Sequence, residues 1–88
     1  MNKYSIVINS DNFSHTFGIF ETLKEARRLA SEIVKIGCFW LESVRLSESE
    51  IKGITINIYK DDKVYFSKTL RKSYQKYLIS LNKKNYGG

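Results

Sequence analysis

The last third of this chain holds its most distinctive chemistry. From Lys63 to Gly88 there are seven lysines and arginines and no carboxylate, a local net charge of +7. From Met1 to Asp62 eight lysines and arginines meet nine acids, a net of −1. All of the formal excess of +6 therefore lies at the C-terminal end. Within that end Lys72, Lys76 and Lys83 recur at spacings of four and seven, which lines them along one side of a helix. Lys68, Arg71 and Lys72 cluster where a strand would give way to that helix, whose free N–H groups add to an anion-attracting field. Ammonium groups in a row suit phosphates, and the expected affinity is sequence-independent and salt-sensitive.

Other residues with chemical potential are scattered. His15 is the single histidine and shares a strand face with Phe13 and Phe17. Cys38 is the single cysteine and follows a helix C-terminus, where the dipole disfavours a thiolate. Asp61 and Asp62 read as turn residues, and Glu48 and Glu50 as an acidic connection. No glycine-rich phosphate loop and no Cys/His metal-ligand spacing is present. Neither an enzyme nor a metal or cofactor is expected. Tyr59 and Tyr65 are expected on one outward sheet face, where aromatic rings stack bases or anchor a protein contact.

The elements that must position these groups follow from periodicity. Lys3–Asn9 and Phe13–Phe20 alternate as a hairpin around Ser10, Asp11 and Asn12. Phe13, His15, Phe17 and Ile19 are expected on one side, with Gly18 on the other. Thr22–Ile36 is a helix: Thr22 and Glu25 have capping-box spacing, and Leu23, Ala26, Leu29, Ala30, Ile33 and Ile36 form its stripe. Gly37 stands at the C-cap. Cys38–Leu46 reads as a strand and Ser47–Gly53 as a loop. Ile54–Tyr59 and Val64–Leu70 read as a second hairpin, with Ile54, Ile56 and Ile58 sharing a face with Val64, Phe66 and Leu70. That parity predicts a loop of odd length, most simply three residues. Arg71–Lys84 is the final helix, with Tyr74, Tyr77, Leu78 and Leu81 inward and Ile79 among the lysines. Residues 85–88 read as a tail.

The expected architecture is a single α+β domain, ordered β-β-α-β-β-β-α, with a mostly antiparallel sheet and both helices on one face. No stretch approaches the length needed to span a bilayer, and the lone cysteine points to a reducing, cytoplasmic setting. From Thr22 onward the expected α-β-β-β-α order resembles that of a double-stranded-RNA-binding domain. The resemblance places Arg71 and Lys72 where that family has lysines opening its last helix. The Gly-Pro-x-His loop and the Lys-Lys-x-x-Ala run of the family are absent. Two functions are expected from these features. One is a non-enzymatic module contacting DNA or RNA phosphates. The other is a protein-binding inhibitor or accessory factor, of the kind phages and mobile elements encode. It would act on an acidic or nucleic-acid-binding surface of a host enzyme through the open sheet face.

Overall fold

A computed structural model describes residues 3–86. The chain runs β1 (Tyr4–Asn9), β2 (Ser14–Phe20), α1 (Leu23–Ile36), α2 (Phe39–Ser43), α3 (Glu48–Gly53), β3 (Thr55–Lys60), β4 (Lys63–Thr69) and α4 (Lys72–Tyr86). The four strands form one antiparallel sheet in the order β2-β1-β3-β4. The α+β class and the antiparallel sheet with helices packed against it agree with the sequence reading.

The two isoleucine-rich strands β1 and β3 lie at the centre. Ile6 pairs with Ile58 and Ile8 with Ile56, and all four are fully buried. Branched side chains fill a pleated surface well, and each such burial is worth about 1.5–3 kcal/mol. Helix α1 lays Ala26, Ala30 and Ile33 onto this face. Its start is capped as expected: Thr22 Oγ1 accepts from the Glu25 N–H at 3.3 Å and donates to Glu25 Oε1 at 2.9 Å. Ile36 departs from the expected stripe and is exposed, while Val34 packs against the core instead.

Between Gly37 and Ile54 the structure corrects the sequence reading. The expected third strand over Cys38–Leu46 is the short helix α2 followed by extended chain, and the expected loop over Ser47–Gly53 is the helix α3. A reciprocal capping box starts α3, with Ser47 Oγ accepting from the Glu50 N–H and Glu50 accepting from the Ser47 N–H. Leu41 and Ile51 are the buried anchors of the two helices. One buried residue per short helix is enough for docking but too few to show a period. The α-β-β-β-α order that resembled a double-stranded-RNA-binding domain is consequently not the one the chain adopts.

Both hairpins contain a bulge, and this changes which residues share a face. In the first, Ile6 pairs with Gly18 and Val7 with Thr16, leaving Phe17 as the extra residue. Gly18 therefore lies on the helix side with Ile6, not opposite it, and Ile19 turns outward. A Cβ on Gly18 would lie 2.9 Å from Phe20 Cε2. In the second hairpin the loop has two residues rather than three. Asp61 and Asp62 both have positive φ, 49° and 69°, as a tight primed turn requires. Tyr59 pairs with Val64 and Ile58 with Phe66, so Tyr65 is the extra residue. The odd residue demanded by the isoleucine face sits in the strand, not in the loop, and Val64 points outward.

Candidate functional site

Helix α4 carries the cations. It begins after Leu70, where the Arg71 N–H donates to Val34 O at 2.8 Å and Gln75 Nε2 donates to Leu70 O at 2.8 Å. These bonds tie the start of α4 to α1 and to the end of β4. Tyr74 and Leu78 sink into the core. Asn82 is also buried, and its Oδ1 accepts from the Leu46 N–H at 2.8 Å while its Nδ2 donates to Leu78 O. Sequence reasoning missed Asn82, and it holds α4 to the extended chain entering α3. The helix runs to Tyr86, past the expected boundary at Lys84. The last two residues of the expected tail lie outside the described residues.

With Tyr74, Leu78 and Asn82 inward, Lys72, Lys76 and Lys83 fall on the solvent side of α4, at the expected spacing. All three are exposed, as are Lys68 and Arg71. Lys3–Glu21 and Lys52–Glu48 form ion pairs, each at 3.0 Å. None of Lys68, Arg71, Lys72, Lys76 and Lys83 is held by a carboxylate. Lys83 does lie near Glu48, whose carboxyl is held below its ordinary value first by Lys52 and to a smaller degree by the Lys83 charge. Lys68 belongs to the helix-facing side of β4, opposite Ile56, with its ammonium 5.6 Å from the Phe66 ring centre. The α4 row therefore contains Lys72, Lys76 and Lys83, while Lys68 and Arg71 flank the helix start.

On the α3 side the row borders a hollow of about 510 Å³ lined by Arg45, Glu48, Glu50, Ile79, Asn82 and Lys83, among others. Ile79 packs partly into the core here, rather than standing alone among lysines. The two glutamates in this wall offset the charges of Arg45 and Lys83 there, so the hollow has no net positive charge to draw a phosphate. Glu50 is also depressed, by the Ser47 N–H first and then by the Asn12 amide and the Ser47 hydroxyl.

On the other flank of α4 lies the junction of α1, α2 and α4. The Tyr74 ring closes over Gly37, and its hydroxyl donates to Glu42 Oε2 at 3.0 Å. Burial, reinforced by the Glu42 carboxylate, pushes that hydroxyl well above the usual tyrosine range. Burial likewise raises the Cys38 thiol above its ordinary value, which disfavours the nucleophilic thiolate. Tyr77 stacks against Tyr74 with ring centres 5.9 Å apart. His15 lies flat on Trp40 of α2, 4.1 Å between ring centres, and Phe13 meets the same indole edge-on. His15 thus pins α2 against β2.

The tyrosines singled out from sequence are parted by the second bulge. Tyr59 stays on the open face, its hydroxyl accepting from Asn9 Nδ2 at 3.2 Å. Tyr65 meets Tyr4 edge-on at 5.5 Å, and Tyr4 belongs to the side of Ile6 and Ile8. Lys60 Nζ sits 4.6 Å over the same Tyr4 ring. The expectation of one shared outward face fails because the extra residue inverts the alternation. Tyr59 is also separated from the α4 lysines by the sheet itself, so lysines and tyrosines do not converge on one site.

The open face is notable for what its strands lack. The charged residues within them, Lys60, Lys63 and Lys68, all belong to the helix side by register. The open face shows hydroxyls and a few apolar groups, among them Thr16, Ile19, Tyr59 and Thr69, with Asn57 on the same side but buried. Several are bonded to one another: Ser14 Oγ donates to Asn9 Oδ1 at 2.7 Å, and Asn57 Nδ2 donates to Thr55 Oγ1 at 2.9 Å. No helix among the described residues is long and apolar enough to cross a membrane. Comparisons with protein families, curated proteins and solved structures find no match to this chain.

Proposed function

We propose that this protein is a non-enzymatic binding module that contacts nucleic acid through phosphates on the solvent face of α4. The observation that supports this reading is the row of Lys72, Lys76 and Lys83, with Arg71 and Lys68 at its start, exposed and without a carboxylate partner. Along a helix these three lysines are about 6 Å and about 10.5 Å apart. They can each neutralise a phosphate of a passing strand. Such contacts position a polyanion without reading its sequence. A mobility-shift titration at low salt, with single- and double-stranded DNA and RNA, tests the reading. Binding that weakens steeply with added salt is expected, and no binding to any of the four overturns it.

A second reading is favoured by the charge-free open face. A surface depleted of Lys, Asp and Glu, with several of its polar groups already bonded to one another, loses little when a protein covers it. An inhibitor or accessory factor acting on a nucleic-acid-handling enzyme would use that face around Tyr59. Affinity capture from a lysate, with and without nuclease, separates the two. Capture of one such enzyme that survives nuclease supports the second reading, and capture abolished by nuclease treatment supports the first.

A further inference from the structure

The side of α4 away from α3 carries an apolar cluster that the fold leaves uncovered. Phe39 is 87% exposed, Ile36 is 69% exposed and Tyr77 is 49% exposed. They surround one junction. Ile36 and Phe39 flank Gly37 and its neighbour Cys38, Gly37 is in contact with Tyr74, and Tyr74 stacks on Tyr77. A phenylalanine this exposed forgoes the burial energy that Leu41, two residues on, gains in full. Phe39 takes no part in the ring contacts that hold Trp40, Tyr74 and Tyr77.

Charge surrounds the cluster. Arg71 is bonded through its backbone to Val34, two residues before Ile36. Lys84 lies two turns beyond Tyr77 on the same side of α4, and Lys76, next to Tyr77 in the chain, stands across the solvent face toward α3. All three cations are exposed, and no ion pair within 4.0 Å among the described residues holds them. Exposed rings bordered by free cations complement a ligand that is anionic along one edge and flat and apolar along the other. A duplex presents phosphates but keeps its base faces stacked inside. A single strand presents both, and base–aromatic stacking is insensitive to sequence.

The geometry points to single-stranded nucleic acid as the ligand of the α4 surface, with its bases stacked on Phe39 and Tyr77 and its phosphates on the lysine row. This rests on the phosphate-binding reading of α4 and adds the ligand class. It also moves the stacking role from Tyr59 and Tyr65 to two rings beside the cations.

The test compares a thymidine oligomer of about 15 nucleotides, within the site size of known single-strand binders, with a duplex of equal length, an abasic oligomer and inorganic polyphosphate. The base-bearing single strand is expected to bind most tightly. Phe39→Ala should weaken it by about 5- to 150-fold and leave abasic oligomer and polyphosphate binding unchanged. Phe39→Trp should retain the affinity. Because Phe39 is almost wholly exposed, the alanine variant should keep the wild-type circular dichroism and melting curve. Equal affinity for base-bearing and abasic oligomers, or an alanine variant that binds the thymidine oligomer like wild type, overturns the inference while leaving the phosphate reading standing. Failure to bind any of the four polyanions overturns both.

Discussion

Replacing Gly37 with alanine should come close to unfolding this protein. Gly37 has φ 75° and ψ −163°, a region open to glycine and costly for other residues, about 1–3 kcal/mol. Its N–H is committed to Ile33 O at 2.9 Å, so the backbone cannot turn away without loss. A Cβ there would stand 1.8 Å from Tyr74 Cζ and 2.0 Å from the Tyr74 hydroxyl oxygen. The ring must move, and forced displacement in a packed core costs about 1–3 kcal/mol. Moving it also strains the Tyr74–Glu42 hydrogen bond, a contact to a charged group worth about 1.5–3 kcal/mol. Counting ring shift and hydrogen bond as one event, the total is about 2.5–6 kcal/mol. A chain of 88 residues has about 4–13 kcal/mol in all. Urea denaturation followed by circular dichroism measures the loss. With a slope of about 1 kcal/mol per molar for a domain this small, the midpoint should fall by about 2.5 M or more. Gly53→Ala is the control: nothing lies within 4 Å of its Cβ position at the end of α3. It should be neutral or stabilising by up to about 1 kcal/mol. Adding Tyr74→Ala to Gly37→Ala should make the pair less damaging than the sum, by about 1–3 kcal/mol. A Gly37→Ala midpoint indistinguishable from wild type would refute the reasoning.

Three further outcomes follow from the site. Changing Lys72, Lys76 and Lys83 together to glutamine should lower the slope of log affinity against log salt by about 2 for a single strand, near 0.7 for each phosphate no longer neutralised; an unchanged slope in a salt titration places the phosphates elsewhere. Asn82→Ala leaves the buried Leu46 N–H without its acceptor and should destabilise by about 1–3 kcal/mol, with faster amide exchange at Leu46. Glu48 and Glu50 are both held below their ordinary 4.5 in the folded chain, so the stability they lend is complete above that value and fades as pH falls through the lower folded values. Melting curves should therefore drop on acidification below about pH 4, and less steeply in the Glu50→Gln variant.

Much of this fold is readable from residue pattern, for reasons that differ along the chain. Strict alternation in β1 and β3 and a 3.6-residue stripe with Thr22, Glu25 and Gly37 at its ends specify those elements locally. The stretch from Cys38 to Gly53 is not readable as helix. Phe39, Trp40 and Leu41 are aromatic or apolar in succession, as in a covered strand, and five residues are too few to show a period. Ser47 and Glu50 do offer a capping box before Ile51, a cue overshadowed by the acidic, polar composition around them. The cation row on α4 is legible because helix spacing alone arranges it. The rings beside it are not. Phe39 is exposed only because α2 turns its Leu41 inward, and Tyr77 falls outside the buried stripe, which runs through Tyr74, Leu78 and Asn82.

The two extra residues, Phe17 and Tyr65, both fall in strands that border the sheet, β2 and β4. Their position makes the molecule unevenly tolerant of changes in chain length. Losing Tyr65 would join Val64 to Phe66 and convert an irregular hairpin into a continuous ladder, with every other partner kept. Losing Ser67, two residues on, would shift the remainder of β4 by one and turn Lys68 and Thr69 to the opposite faces from those they now occupy. Single-residue gaps among descendants of this sequence should therefore gather at those two positions and avoid their neighbours.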